Sequence, residues 1–191
     1  SRSSKNHHNM LSSLSNALTL SRILVIPIIV ILIYMKGPFY AWAAFILFCL
    51  AGITDYYDGY FARIRKEISK LGIFLDPIAD KLLVASVILI LTSKEIISNF
   101  EIIPALIILV REITVSGLRE FLAGIKVSVP VSKIAKFKTA LQLIALGILI
   151  LSEGGITIVP VLMFGKIALW IAALLTLYTG YDYLKSGLKH F

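Results

Sequence analysis

Four aspartates lie close together in this sequence, in two pairs. Asp55 and Asp58 are three residues apart, and Asp76 and Asp80 are four apart. On an α-helix, either spacing places both carboxylates of a pair on one face. Four converging carboxylates would repel one another unless divalent cations neutralised them, and oxygen ligands without nearby His or Cys suit Mg²⁺ or Mn²⁺. The spacing therefore predicts a two-metal site, which can stabilise the attacking and leaving oxygens of a phosphoryl displacement.

Ion pairs with neighbouring cations are the simpler explanation of the same acids. Ionisable groups at the edge of a membrane segment are costly unless they are paired or hydrated, and they mark function by default. Ion pairing alone does not require four acids in register on two helices, so we favour the metal site. The cations available for such pairs are Arg63, Arg65, Lys66, Lys70 and Lys81.

Six apolar blocks must position these aspartates. The 191 residues are 58% hydrophobic and only 16% charged, and the mean hydropathy is +0.90, so the chain has too little polar surface for an ordinary water-soluble domain. Because a membrane span takes about 20 apolar residues, we expect an all-α integral membrane bundle of six transmembrane helices. The expected spans are 18–35, 39–61, 72–92, 102–122, 137–151 and 167–184. The stretch 158–164 fits either an outer interfacial segment or an early start of the last span.

The aspartate pairs close the second block and open the third, so these two helices should be antiparallel neighbours with their acidic faces opposed. The Lys and Arg residues between blocks fall mostly on one side, which marks the cytoplasmic side. We therefore expect both termini and the active site to face the cytoplasm from the inner membrane. Residues 1–15 are predicted to be a polar tail, which resembles a cloning remnant at its start. Residues 16–191 are predicted to form a single membrane domain.

The net charge of +8 restricts the expected partners. Most basic residues lie between apolar blocks, so anionic headgroups of the bilayer and phosphorylated substrates are better partners than nucleic acid. The single cysteine, Cys49, excludes an internal disulfide. It lies in an apolar run, which is typical of packing rather than chemistry.

The residues around the aspartates complete a longer pattern. Small residues beside acids would let a bulky ligand approach the backbone, although helix packing in membranes explains glycine equally well. The pattern reads Asp55-x2-Asp58-Gly59-x2-Ala62-Arg63-x8-Gly72-x3-Asp76-x3-Asp80. It resembles the full signature of the CDP-alcohol phosphotransferase family, without departure in residue type or spacing, and the six-span topology is also similar to that family.

The resemblance implies a transferase that passes the phosphatidyl group of CDP-diacylglycerol to an alcohol and releases CMP. It also implies a homodimer and two ions of Mg²⁺ or Mn²⁺. Asp80 would act as the general base on the acceptor hydroxyl. The implied metal ligands are Asp55, Asp58, Asp76 and Asp80. The residues implied for binding the CDP part of the donor are Asn16, Thr19, Gly59, Ala62, Arg63 and Gly72, the first two from a segment Asn16-x2-Thr19-x2-Arg22 that resembles the family's donor-binding segment.

A group of cations points to an anionic acceptor. Arg111 lies inside the fourth apolar block, and Arg119 follows two turns later on roughly the same face. An Arg within a span should face a cavity rather than lipid, although pairing with the adjacent Glu112 could make Arg111 purely structural. Such cations suit a phosphomonoester. The residues predicted to bind the acceptor phosphate are Arg111, Arg119, Lys133, Lys136 and Lys138.

Two stretches in this region narrow the acceptor by resemblance. They read Arg111-Glu112-x2-Val115-x-Gly117-Leu118-Arg119 and Lys136-Phe137-Lys138-Thr139. Both are similar to the branch of the family that uses sn-glycerol 3-phosphate and forms phosphatidylglycerol phosphate. Another phosphorylated acceptor, such as inositol phosphate, is the alternative within the family.

A cation or proton transporter, with the acids as an ion path, is the alternative from another class. Transporters favour broken helices near the midplane and internal repeats. The sequence shows neither feature, and its acids lie at the membrane edge. We therefore favour the enzyme.

Overall fold

The computed structural model of the protein describes the backbone of residues 2–65, 70–130 and 133–191, and the side chains of 17–54, 74, 75, 77–130 and 133–191. Across these ranges the chain is helical and contains no strand, which confirms the expected all-α class. A 3-10 helix, Asn99–Glu101, precedes the fourth α-helix. The α-helices are α1 (Arg2–Tyr34), α2 (Pro38–Arg65), α3 (Lys70–Ser93), α4 (Ile102–Gly124), α5 (Lys133–Leu151) and α6 (Val161–Leu188).

The helices cover the apolar blocks, and the largest differences in their bounds are at the starts of α1 and α6. α1 begins at Arg2, so the polar segment expected as a tail is helical and continuous with the first apolar block. α6 begins directly after Pro160, which occupies the N-cap position. A proline is well tolerated at a helix start because it has no amide hydrogen to satisfy there. The stretch 158–164 is therefore divided between a loop and the first turn of α6.

Three helices within the described residues are long and apolar enough to cross a membrane: Ala17–Tyr34 in α1, α5 and α6. The part Pro38–Thr54 of α2 is apolar but shorter. α4 is interrupted by four charged residues, two near its middle and two near its end. The structure thus supports a helical membrane protein, and the expected number of six crossings stays a prediction.

The chain divides into two compact units, Ser1–Ile90 and Leu91–Phe191. In the first unit α1 packs against α2. The buried residues of α1 recur every three or four positions and so form one face of the helix. α2 buries three alanines and one phenylalanine, and small side chains let helix backbones approach closely. These buried residues are Ile26, Ile29 and Ile33 in α1 and Ala41, Ala44, Phe48 and Ala51 in α2.

In the second unit α6 packs against both α4 and α5, and three of its glycines make this packing possible. A Cβ atom at Gly165 would lie 2.7 Å from Leu149 Cδ2 in α5. At Gly180 it would lie 2.8 Å from Arg111 Cγ, and at Gly187 2.7 Å from Leu118 Cδ2, both in α4. Any larger residue would push the neighbouring helix away at these three points.

The contact at Gly165 gives a test of this packing. Leu149 is 1% exposed, so it has little room to move away from an added methyl group. We expect Gly165→Ala to destabilise the protein by about 1–3 kcal/mol through overpacking. The measurement is the midpoint of thermal unfolding in detergent.

Gly124→Ala is the matched control, because a Cβ at Gly124 meets nothing within 4 Å. Alanine is also the better helix former, so this control should keep or slightly raise the midpoint. Equal midpoints for the two variants would contradict the close packing of α6 on α5.

Candidate active site

The four aspartates lie on helical backbone, two near the end of α2 and two in α3. Their spacings of three and four residues therefore place each pair on one face of its own helix, as the sequence predicts. Asp80 is half-buried and follows the buried Ala79. The side chains of Asp55, Asp58 and Asp76 lie outside the described residues, so the meeting of the four carboxylates stays a prediction.

The chemistry of this donor set fits a hard divalent cation. Carboxylate oxygens are the ligands that Mg²⁺ and Mn²⁺ prefer, and none of the four is a His or Cys that would favour zinc. The described side chains contain no group of three or more His, Cys, Asp or Glu residues placed to hold a metal ion. The assignment of a metal to the aspartates stays a prediction.

The residues expected to bind the CDP part of the donor lie on α2 and α3, which also carry the aspartates, and on α1. The backbone positions of Gly59, Ala62 and Arg63 are in α2, and that of Gly72 is near the start of α3. Their surroundings, like those of the Asn16 side chain in α1, lie outside the described side chains.

Thr19 in α1 is described and is almost fully buried, at 1% exposed. Arg22, one turn further, is also buried, and its Nη2 donates a hydrogen bond to Thr19 Oγ1 at 3.4 Å. Arg22 belongs to the segment that resembles the family's donor-binding segment, but only Asn16 and Thr19 of that segment were predicted to bind the donor. The signal that singles it out is a charged side chain inside an apolar block, which marks function in a membrane helix.

The predicted acceptor residues lie in the second unit, where three charged side chains form a cluster. Glu112 Oε1 accepts hydrogen bonds from Arg111 Nη1 at 3.2 Å and from Lys138 Nζ at 3.1 Å. Lys138 is only 3% exposed, and the other two side chains are 12% and 14% exposed. One buried and two largely buried charged side chains thus connect α4 to α5. We call Arg111, Glu112 and Lys138 the charge cluster.

α6 completes the surroundings of these cations. The stem of Arg111 passes over Gly180, where any side chain would collide with it. Arg119 is exposed, and its guanidinium carbon lies 5.4 Å from the centre of the Tyr183 ring. That distance is within the range of a cation–π interaction. In α6, Gly180 thus leaves space for the stem of Arg111, and Tyr183 offers its aromatic face to Arg119.

The five predicted acceptor residues do not form one group. Arg111 and Lys138 meet through Glu112, whereas Lys133 and Lys136 are exposed on the first turn of α5. The sequence indicated Glu112 as a possible partner of Arg111 alone, and its contact with Lys138 appears only in the structure. The buried Gln142, one turn after Lys138 on the same face of α5, was not predicted either. A polar residue at that spacing in an apolar helix was the available signal.

Comparison with known proteins identifies the family of the chain. Residues 12–178 match the family model described as CDP-alcohol phosphatidyltransferase. The chain belongs to this family, and it is therefore an enzyme of the phosphatidyltransferase class. Both the resemblance and the enzyme class expected from the sequence are confirmed.

Three relatives carry the name CDP-diacylglycerol--glycerol-3-phosphate 3-phosphatidyltransferase. The protein from Rickettsia bellii (strain RML369-C) is 51% identical over 179 residues, which cover 94% of this chain and 97% of the relative. The protein from Cereibacter sphaeroides is 37% identical over 213 residues, with 93% and 96% covered. The protein from Shigella flexneri serotype 5b is 37% identical over 172 residues, with 89% and 92% covered.

The charge cluster makes a prediction about stability. Lys138→Met removes a buried cation and leaves Glu112 with Arg111 as its remaining partner in the cluster. We expect a loss of about 3 kcal/mol, the lower end of the range for breaking a buried ion pair, because that one partner is kept. The measurement is again the thermal midpoint in detergent.

Lys136→Met is the matched control, since Lys136 is exposed two residues earlier on the same helix. Its midpoint should stay close to that of the unmodified protein. A loss of the same size in both variants would show that the buried contact of Lys138 with Glu112 adds nothing to stability.

Proposed function

We propose that the protein transfers the phosphatidyl group of CDP-diacylglycerol to sn-glycerol 3-phosphate, with phosphatidylglycerol phosphate and CMP as products. The observation that carries this proposal is the identity of 51% to a glycerol-3-phosphate phosphatidyltransferase across nearly the full length of both chains. The charge cluster supports a phosphorylated acceptor, because Arg and Lys side chains make strong hydrogen bonds to phosphate groups.

On the donor side, Asp55, Asp58, Asp76 and Asp80 would hold two ions of Mg²⁺ or Mn²⁺. When bound, such ions stabilise the negative charge of a pyrophosphate and of the oxygen that leaves it. The CDP part of the donor is assigned to Asn16, Thr19, Gly59, Ala62, Arg63 and Gly72. Glycine and alanine at these positions leave room for the nucleotide, and Arg63 offers a planar donor to a phosphate.

Asp80 is assigned the role of general base. A carboxylate within hydrogen-bond reach of the acceptor hydroxyl takes its proton while the oxygen attacks the phosphorus that carries diacylglycerol. The bond from this phosphorus to the oxygen of CMP then breaks. Asp80 is half-buried, so its side chain is partly accessible and only partly exposed to solvent.

On the acceptor side, the phosphate of glycerol 3-phosphate is assigned to Arg111, Arg119 and Lys138. The charge cluster carries one acid and two bases, so it keeps one net positive charge, and Arg119 adds another. Arginine suits this role because its planar fork matches two phosphate oxygens at once. Lys133 and Lys136, which are exposed, contribute longer-range attraction for an anion.

The membrane arrangement is also part of the proposal. Six crossings would place both termini and the active site on the cytoplasmic side of the inner membrane, because the loops richest in Lys and Arg stay in the cytoplasm. Membership of the family supports a homodimer in the lipid bilayer. Neither feature depends on the charge cluster.

An enzyme of the same family with another phosphorylated acceptor, such as inositol phosphate, is the second candidate. The charge cluster favours it as much as the first, since arginine and lysine recognise the phosphate and not the alcohol that carries it. The transporter alternative has no support from a family of phosphatidyltransferases.

An acceptor panel tests the reaction. We expect the purified protein, given CDP-diacylglycerol and Mg²⁺, to release CMP rapidly with glycerol 3-phosphate and not with serine or choline. Chelation of the divalent ions should stop the release, and added Mg²⁺ should restore it, because carboxylate ligands bind such ions reversibly. Faster release with inositol phosphate would favour the second candidate, and no release with any acceptor would reject both.

Asp80→Asn tests the general base. Loss of a positioned base slows a proton transfer by about 10²–10⁴-fold, so turnover should fall by at least about 100-fold. The affinity for CDP-diacylglycerol, measured as binding to the purified variant, should change much less. Asp182→Asn, at an exposed position of α6, is the control with normal turnover. Near-normal turnover of Asp80→Asn would remove Asp80 from this role.

A further inference from the structure

The charge cluster contains one acid that the proposed reaction does not use. Glu112 lies in the second unit, and the proposed reaction assigns it no role. A single oxygen, Oε1, receives both Arg111 Nη1 and Lys138 Nζ. Because α4 carries the acid and α5 carries the lysine, this one atom fixes the separation of two cations that belong to different helices.

Packing alone does not explain these buried charges. Desolvation of three charged groups is costly, and well-packed hydrophobic residues of similar volume are often equally stable or more so. Leucine and isoleucine already fill the neighbouring turns of both helices. A purely structural contact between α4 and α5 would therefore not need a carboxylate and two cations at this level.

The second unit also contains buried polar atoms without a partner among the described residues, one of them in the charge cluster. Arg111 Nε is buried and has no hydrogen-bond partner among the described residues, and the same holds for Gln142 Oε1 and Thr176 Oγ1. Gln142 lies one turn after Lys138 in α5, and Thr176 lies one turn before Gly180 in α6. Buried polar atoms without partners are rare in native structures and need an explanation such as an absent ligand or water.

We propose that Glu112 is a positioning residue for the acceptor. Its carboxylate holds the guanidinium of Arg111 and the ammonium of Lys138 at a fixed separation, so that both direct their remaining N–H groups to the same phosphate. An arginine has five N–H donors and a lysine three, and the Nε donor of Arg111 has no partner among the described residues. The inference rests on the proposed function and deepens it.

The negative charge of a carboxylate repels a phosphate and so lowers the affinity of a phosphate site. The sign of the change in affinity when the carboxylate is removed can therefore be used as a test. If Glu112 acted only through its charge, its removal would tighten phosphate binding. If it acts by positioning, removal lets the two cations repel each other and separate, and binding weakens. The two effects have opposite signs, so the sign of the change in KM decides between them.

Glu112→Gln is the main variant, because glutamine keeps the shape and loses the charge. We expect the KM for glycerol 3-phosphate to rise at least tenfold, the KM for CDP-diacylglycerol to change less than twofold, and kcat at saturating acceptor to stay within threefold. Glu112→Asp keeps the charge on a shorter stem and should recover part of the acceptor affinity.

Glu120→Gln is the matched control. Glu120 lies two turns further along α4 and is exposed, so both KM values should stay unchanged. A merely structural Glu112 would lower the thermal midpoint without this selective rise in one KM. An unchanged or lower KM for glycerol 3-phosphate, or an equal rise for both substrates, would overturn the inference. If Glu112→Gln does not fold, the KM of Glu112→Asp decides: a rise of threefold or more supports positioning, and no rise overturns it.

Failure of the proposed function would show separately, as absence of turnover with glycerol 3-phosphate in the unmodified protein. Inorganic phosphate then serves as the probe, and its effect on the thermal midpoint is measured. Protection of the unmodified protein and of Glu120→Gln, but not of Glu112→Gln, would support the inference. Equal protection of all three, or of none, would overturn it.

Discussion

The contact of Glu112 with Arg111 and Lys138 is the interaction on which the second unit depends. Buried charges are stable only when they are paired and hydrogen-bonded, and here one carboxylate oxygen pairs with two cations. This requirement restricts the rotation of α4 and α5 about their own axes. If either helix turned, a charged side chain would lose its partner or move into the surroundings. Hydrophobic packing alone tolerates such rotations, since it has no direction.

The glycines of α6 are what make this contact possible. Arg111 needs space beside α6, and Gly180 leaves it. Gly165 and Gly187 bring the same helix close to α5 and α4 on either side of that point. In a membrane, helices associate through close packing and polar contacts rather than through the hydrophobic effect. The small residues and the charge cluster are therefore two parts of one arrangement.

The two compact units divide the groups needed for phosphatidyl transfer. The acids and the residues assigned to the nucleotide belong to α1, α2 and α3, and the cations assigned to the acceptor belong to α4 and α5. Phosphoryl transfer depends mainly on positioning and on charge stabilisation rather than on covalent chemistry by the protein. Helices suit the positioning of charged groups, because each side chain projects from a fixed place on the helix.

The sequence by itself determined the family, the helical class and the register of the aspartates, because spacing along one helix is a local property. It also predicted the start of α4 at Ile102 and the end of α5 at Leu151. Only the tertiary structure decided which lysines join the arginine. Lys136 and Lys138 are two residues apart, about 200° around a helix, so one must turn away from the side that the other faces. Which of them is buried depends on the rotation of α5 against α4 and α6, and the structure buries Lys138, which pairs with Glu112, 26 residues away in the chain.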